Sequence, residues 1–105
     1  MDEMESQMTA FNLILHSGDA RNNVHEAMDA MKVADWATAD AKLAEAEESL
    51  RQAHQAQTEL LQEFSRGTKI EIQIIMVHAQ DHLMTTMTLK EVAVELMDVY
   101  KKINA

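Results

Sequence analysis

The chain has 105 residues, 47% of them apolar and 4% aromatic, with no proline, no cysteine and two glycines, Gly18 and Gly67. Sandwiches and barrels need turn residues about every ten positions, which this composition cannot supply, and without cysteine there are no disulfides, thiolate nucleophiles or thiolate-held metals. Eighteen acidic residues against nine basic ones give a formal charge of −9, which argues against a nucleic-acid partner and leaves proteins and small molecules.

The composition therefore reads as one all-α domain over residues 1–105. The start, MDEMESQMTA, is acidic where a signal peptide is basic and then apolar, and no apolar run reaches bilayer-spanning length. The expectation is a soluble, cytoplasmic protein. Punctuation around Lys32 to Asp35 and at Ser65 to Lys69 cuts the chain into three segments. Each is a rod of about 45 Å if helical, with expected helices at about 3–32, 35–65 and 69–103.

In the first segment an apolar stripe runs through Leu13, Ser17, Ala20, Val24, Ala27 and Met31 without losing phase at Gly18. One helix is expected, tolerating a glycine that costs about 1 kcal/mol relative to alanine. In the second, Trp36, Leu43, Leu50, Gln57 and Phe64 recur every seven residues, and Ala39, Ala46, Ala53 and Leu60 fill the alternate seam. That is a bundle helix with a close-packing alanine face. Asp35 is its expected N-cap, and Gly67 stands where a left-handed C-terminal residue belongs.

The third segment opens on Ile70-Glu71-Ile72-Gln73-Ile74-Ile75, whose alternation alone reads as a strand. The capping-box spacing of Thr68 and Glu71 and the helical pattern that follows to Ile103 favour a helix instead. Two stripes share it: Ile70, Ile74, Val77, Asp81, Met84 and Thr88 on one side, and Ile75, Ala79, His82, Thr86, Leu89, Ala93, Leu96, Tyr100 and Ile103 on the other. They lie about 140° apart. An antiparallel three-helix monomer needs one face per helix, so the second face implies a homo-oligomer, against the alternative of one widened core face.

Chemistry is left to histidines and carboxylates. His16, His25 and His54 stand alone and read as structural. The segment Val77-His78-Ala79-Gln80-Asp81-His82 is different: His78 and His82 are neighbours on the helix surface, and Asp81 occupies an apolar-stripe position where a buried carboxylate needs a partner. Three readings are open on spacing alone. The residues are structural; or they hold a divalent metal, as in a metal-dependent hydrolase; or His78 is a nucleophile carrying a phosphoryl group, with Gln80 or His82 stabilising the charge. A helical scaffold without chemistry is the remaining alternative to both active readings.

The string VHAQDHLMT, Val77 to Thr85, closely resembles the active-site signature of the lactose/cellobiose-type enzyme IIA of the bacterial phosphoenolpyruvate-dependent sugar phosphotransferase system (PTS). HSGDAR from His16, AEAEESLRQAHQAQTELL from Ala44 and ELMDVYKK from Glu95 extend the likeness from about Phe11 to the C-terminus. The resemblance implies a three-helix bundle forming a homotrimer, with His78 as the phosphohistidine, modified at Nε2. It implies that Asp81 meets its two symmetry copies around a divalent cation, Mg2+ or another, on the trimer axis. The phosphoryl donor would be the phosphocarrier HPr and the acceptor a cysteine of the cognate IIB component, with a β-disaccharide of the lactose, cellobiose or chitobiose type as the cargo phosphorylated during uptake. No function falls to the first ten residues. The sequence departs from the family pattern at the first interhelical turn, where Ala34 stands in place of an expected glycine before Asp35.

Overall fold

A computed structural model describes residues 1–104. Three α-helices run up, down and up: α1 (Glu3–Lys32), α2 (Trp36–Ser65) and α3 (Ile74–Ile103). They form a rod of 54 × 20 × 19 Å. The α1 helix packs along both partners, whereas α2 and α3 meet along a shorter seam. The expected stripe of α1 is buried from Leu13 to Met31, and Gly18 lies inside an unbroken helix. On α2, Ala39, Ala46, Leu50, Ala53 and Leu60 are buried, and Trp36, Leu43 and Gln57 partly so. Small alanines on this face let the backbones approach, so the core is made by short side chains of α2 under longer ones such as Leu13, Met31 and Leu83.

Phe64 breaks the expected seam and is 66% exposed. Gln57 faces Gln80 and Glu47 faces Lys90 across the antiparallel pair, a register that sets Phe64 level with residue 73, before α3 has begun. The α3 helix is not there to cover it.

Both interhelical turns close by the same device. After α1, the Ala34 N–H bonds the Met31 carbonyl and the Asp35 N–H that of Ala30; after α2, Gly67 bonds Phe64 and Thr68 bonds Glu63. These are Schellman motifs, which need a left-handed residue at the first position past the cap. Gly67 meets the need at φ 91°, and Ala34 meets it at φ 58°, with a steric cost that glycine lacks. Asp35 caps α2 as expected, its carboxylate accepting from the Thr38 N–H at 3.2 Å; the Thr38 side chain first, and its N–H second, hold the Asp35 pKa below the usual carboxylate value.

The expected start of the third helix at residue 69 is corrected to Ile74. Thr68 belongs to the end of α2: its N–H caps Glu63 O, and its hydroxyl donates to Glu63 Oε2 at 3.0 Å. The capping box with Glu71 therefore does not form. Gln73, in extended geometry and with no side-chain cap bond, is the N-cap of α3. The strand-like alternation of residues 70–73 corresponds to a short non-helical connection.

Of the two stripes on α3, one is the core. Ala79, Thr86 and Ala93 are buried, joined by Met76, Leu83 and Met97. The other lies bare in the single chain, with Ile74 at 90%, Val77 at 52% and Met84 at 53% exposure. At the same end of the bundle, α1 exposes Met8, Phe11 and Leu15. Contiguous apolar side chains in water are uncommon on a monomer surface. No helix among the described residues is long and apolar enough to cross a membrane.

Candidate functional site

The unbroken helix of α3 places His78 and His82 one turn apart. Their rings lie parallel, 4° between planes and 6.0 Å between centroids, an offset arrangement within the range of aromatic pairs. His78 is exposed and His82 is partly buried. Burial pushes the His82 imidazole below its ordinary pKa, the charges of Arg21 and His78 act in the same direction, and Asp81 opposes them weakly. His82 is thereby biased towards its neutral form, while His78 stands open to a partner protein.

The wall facing His82 is α1. At Gly18 a Cβ would come 3.8 Å from His82 Nε2, an ordinary contact distance, so this position of α1 lies directly against that ring nitrogen. One turn further along α1, Arg21 reaches across, and its Nη2 donates to Thr85 Oγ1 at 3.3 Å. The Thr85 hydroxyl is itself held by the backbone carbonyls of Asp81, at 2.8 Å, and His82, at 3.3 Å.

Gln80 is placed elsewhere. Two positions on from His78 it points to the far side of α3, partly buried, with its amide donating to Gln57 Oε1 of α2 at 3.4 Å. Within one chain the fold brings His82 to His78 but not Gln80. Asp81 sits between Val77 and Met84 on the bare stripe, as its spacing requires, yet is itself solvent-exposed in the single chain rather than buried. The expected desolvation penalty does not arise within one subunit. Among the described residues no three His, Cys, Asp or Glu side chains converge to hold a metal, so a cation at Asp81 would need ligands from further copies. His25 and His54 are exposed and His16 partly so, apart from the stacked pair.

Gly18 and Arg21 fall within a motif legible in the sequence, HSGDAR, but their role was not. Their proximity to His82 and Thr85 depends on the register between α1 and α3, a separation of 64 residues for the Arg21–Thr85 bond. No local spacing encodes it. That Arg21 is the single arginine of α1 is the one signal available.

Comparison with known proteins agrees over nearly the whole chain. Residues 8–101 match the family described as "PTS system, Lactose/Cellobiose specific IIA subunit". The lichenan-specific phosphotransferase enzyme IIA component of Bacillus subtilis (strain 168) is 46% identical over 99 residues, 94% of this chain and 90% of that one. The crystal structure of PtcA from S. mutans superposes with a TM-score of 0.95 at 59% identity, covering 96% of this chain and 99% of the other. The IIA(Chitobiose) of Escherichia coli, solved in complex with HPr, superposes with a TM-score of 0.83 at 32% identity over the full length of both chains.

Proposed function

The chain belongs to the lactose/cellobiose-specific IIA family of the sugar phosphotransferase system, and from that premise we propose that His78 is the residue on which it carries the phosphoryl group. It is a phosphotransferase component. The observation that supports the assignment is the exposed His78 imidazole stacked on a partly buried His82 inside the matched region.

The chemistry asks little more of the protein. A neutral imidazole offers the Nε2 lone pair to phosphorus; the new N–P bond forms as the donor's N–P bond breaks, and the donor histidine leaves as a neutral imidazole. Catalysis of such a transfer is mainly positioning and charge stabilisation. The α3 helix fixes the His78 ring against His82, and exposure lets a donor's phosphohistidine approach in line. The donor is HPr, the protein with which the chitobiose relative was solved. The acceptor is a thiolate of the cognate IIB component, whose sulfur displaces His78 Nε2 from phosphorus; this chain, lacking cysteine, cannot keep the group on a thiol of its own. The cargo class is a β-linked disaccharide or its oligomers, and the protein works in the cytoplasm, where the donor is made.

The working unit is a homotrimer. The bare stripe of Ile74, Val77 and Met84 on α3 and that of Met8, Phe11 and Leu15 on α1 supply the apolar surface it buries. Threefold symmetry brings three Asp81 carboxylates together. Like charges that close repel strongly, and one hard cation such as Mg2+, with oxygen ligands from each copy and from water, fits that donor set. The cation's role is structural, and it holds the carboxylates away from the phosphoryl group.

Incubation with phosphoenolpyruvate and the general phosphotransferase proteins, followed by intact-mass measurement, tests the reading. One phosphate per chain, stable in base and lost in acid, is expected. Absence of label, or label persisting in His78→Ala, refutes it.

A further inference from the structure

The molecule has three arginines, and two are neutralised by local carboxylates. Arg51 binds Glu48 and Arg66 binds Glu63, each at 2.8 Å and three residues back. Arg21 is different. It is partly buried on α1, and among the described residues no carboxylate lies within ion-pairing distance of it. Its Nη2 makes the long bond to Thr85, and its Nε–H is buried without an acceptor. A guanidinium has five N–H donors in a fixed fork. Burying the Nε–H of such a group without an acceptor is costly, and its remaining N–H groups are left to water or a ligand.

The position of this unpaired cation is specific. Thr85, its one hydrogen-bond partner among the described residues, is held by the carbonyls of Asp81 and His82. Gly18, one turn before Arg21, is the residue that faces His82 Nε2. Arg21 therefore stands on the wall of α1 that backs the histidine pair. A phosphoryl group brings a charge of about −2 to a protein that already carries −9. Its arrival is opposed electrostatically unless a cation is held nearby and left free of carboxylates.

We propose that Arg21 is that cation: a positioning residue of the phosphoryl-transfer site that acts across His82 and offsets the charge of the phosphoryl group carried on His78. The inference rests on the phosphocarrier reading above. Arg21 forms and breaks no covalent bond; its field stabilises the phosphorylated state and the transition state leading to it. The polar side chain of Thr85 keeps the guanidinium in place while leaving its charge intact, which a carboxylate partner would not.

The test compares wild type, Arg21→Gln and Arg21→Lys, with folding checked by circular dichroism. Each is equilibrated with phospho-HPr at low and high salt, and the phosphorylated fraction is read by intact mass. Arg21→Gln is expected to lower the equilibrium constant for phosphorylation about tenfold at low salt and to flatten its salt dependence, with Arg21→Lys restoring most of both. A folded Arg21→Gln that matches wild type at both salts overturns the proposal and leaves the phosphocarrier reading standing. Should Arg21→Gln not fold, Arg21→Lys decides: near-wild-type equilibrium and salt slope support the role of charge, and a tenfold loss overturns it. No phosphorylation of wild type, or label persisting in His78→Ala, is instead the failure of the phosphocarrier reading itself.

Discussion

The two glycines make opposite demands, so the same substitution is expected to move stability in opposite directions. Gly18 lies in the interior of α1 with helical backbone, and a Cβ there would meet His82 Nε2 at 3.8 Å, an ordinary contact. Replacing an interior helical glycine by alanine gains about 1 kcal/mol, so Gly18→Ala should be the more stable protein. Gly67 has open space around its missing Cβ but a φ of +91°. A side chain in that region costs about 1–2 kcal/mol, partly offset by the backbone entropy that glycine loses on folding, about 0.5–1 kcal/mol. Gly67→Ala should therefore lose about 1 kcal/mol. For a domain of this size 1 kcal/mol corresponds to roughly 4–8 °C in Tm, readable by circular dichroism at one fixed protein concentration, because assembly couples to unfolding. The added methyl of Gly18→Ala meets His82 Nε2 only at ordinary contact distance, so its rate of phosphoryl uptake should stay near that of wild type while its Tm rises. A Gly18→Ala that melts below wild type would show that α1 and α3 lack the room described at His82. One that is stabilised but slow in phosphoryl uptake would show that the space beside His82 Nε2 serves a step of transfer.

Ala34→Gly removes a left-handed alanine from the Schellman turn after α1; thermal unfolding should show a gain of about 0.5–1 kcal/mol, and an unchanged or lower Tm would mean that the turn relaxes at no cost. If a divalent cation binds three Asp81 carboxylates, chelator should weaken the wild-type assembly in sedimentation at low protein concentration, while Asp81→Leu, which continues the apolar stripe between Val77 and Met84, should assemble with or without chelator. Wild-type assembly indifferent to chelator would deny the cation that role.

The helices were legible because their signals are local and mutually consistent. The stripe from Leu13 to Met31, the alanine face of α2, the Asp35 cap and the left-handed Gly67 all appear in the fold. The start of α3 was not, because Thr68 is claimed by Glu63 behind it rather than by Glu71 ahead, and a capping motif cannot reveal which of two helices it serves. Phe64 keeps the heptad phase but lies past the end of its partner helix, a matter of length rather than of pattern. At the site, the spacing of His78 and His82 on one helix already made them neighbours, and the bare stripe around Asp81 follows from periodicity. Gln80 is close to His78 in sequence, but two residues turn it about 200° away, so within one chain it faces Gln57 of α2. Arg21 and Gly18 come to the site only through helix pairing over 64 residues of separation, where charge and size have local meaning but position does not.

The assignment of His78 is tested most directly by nuclear magnetic resonance of the phosphorylated protein with 15N-labelled histidine, which reads which ring nitrogen is bonded to phosphorus. Phosphorus–nitrogen coupling at Nε2 of His78, absent from the four other histidines, is the expected result. Coupling at His82 or at any other histidine, or a phosphorylated protein with no phosphorus–nitrogen coupling, would contradict it.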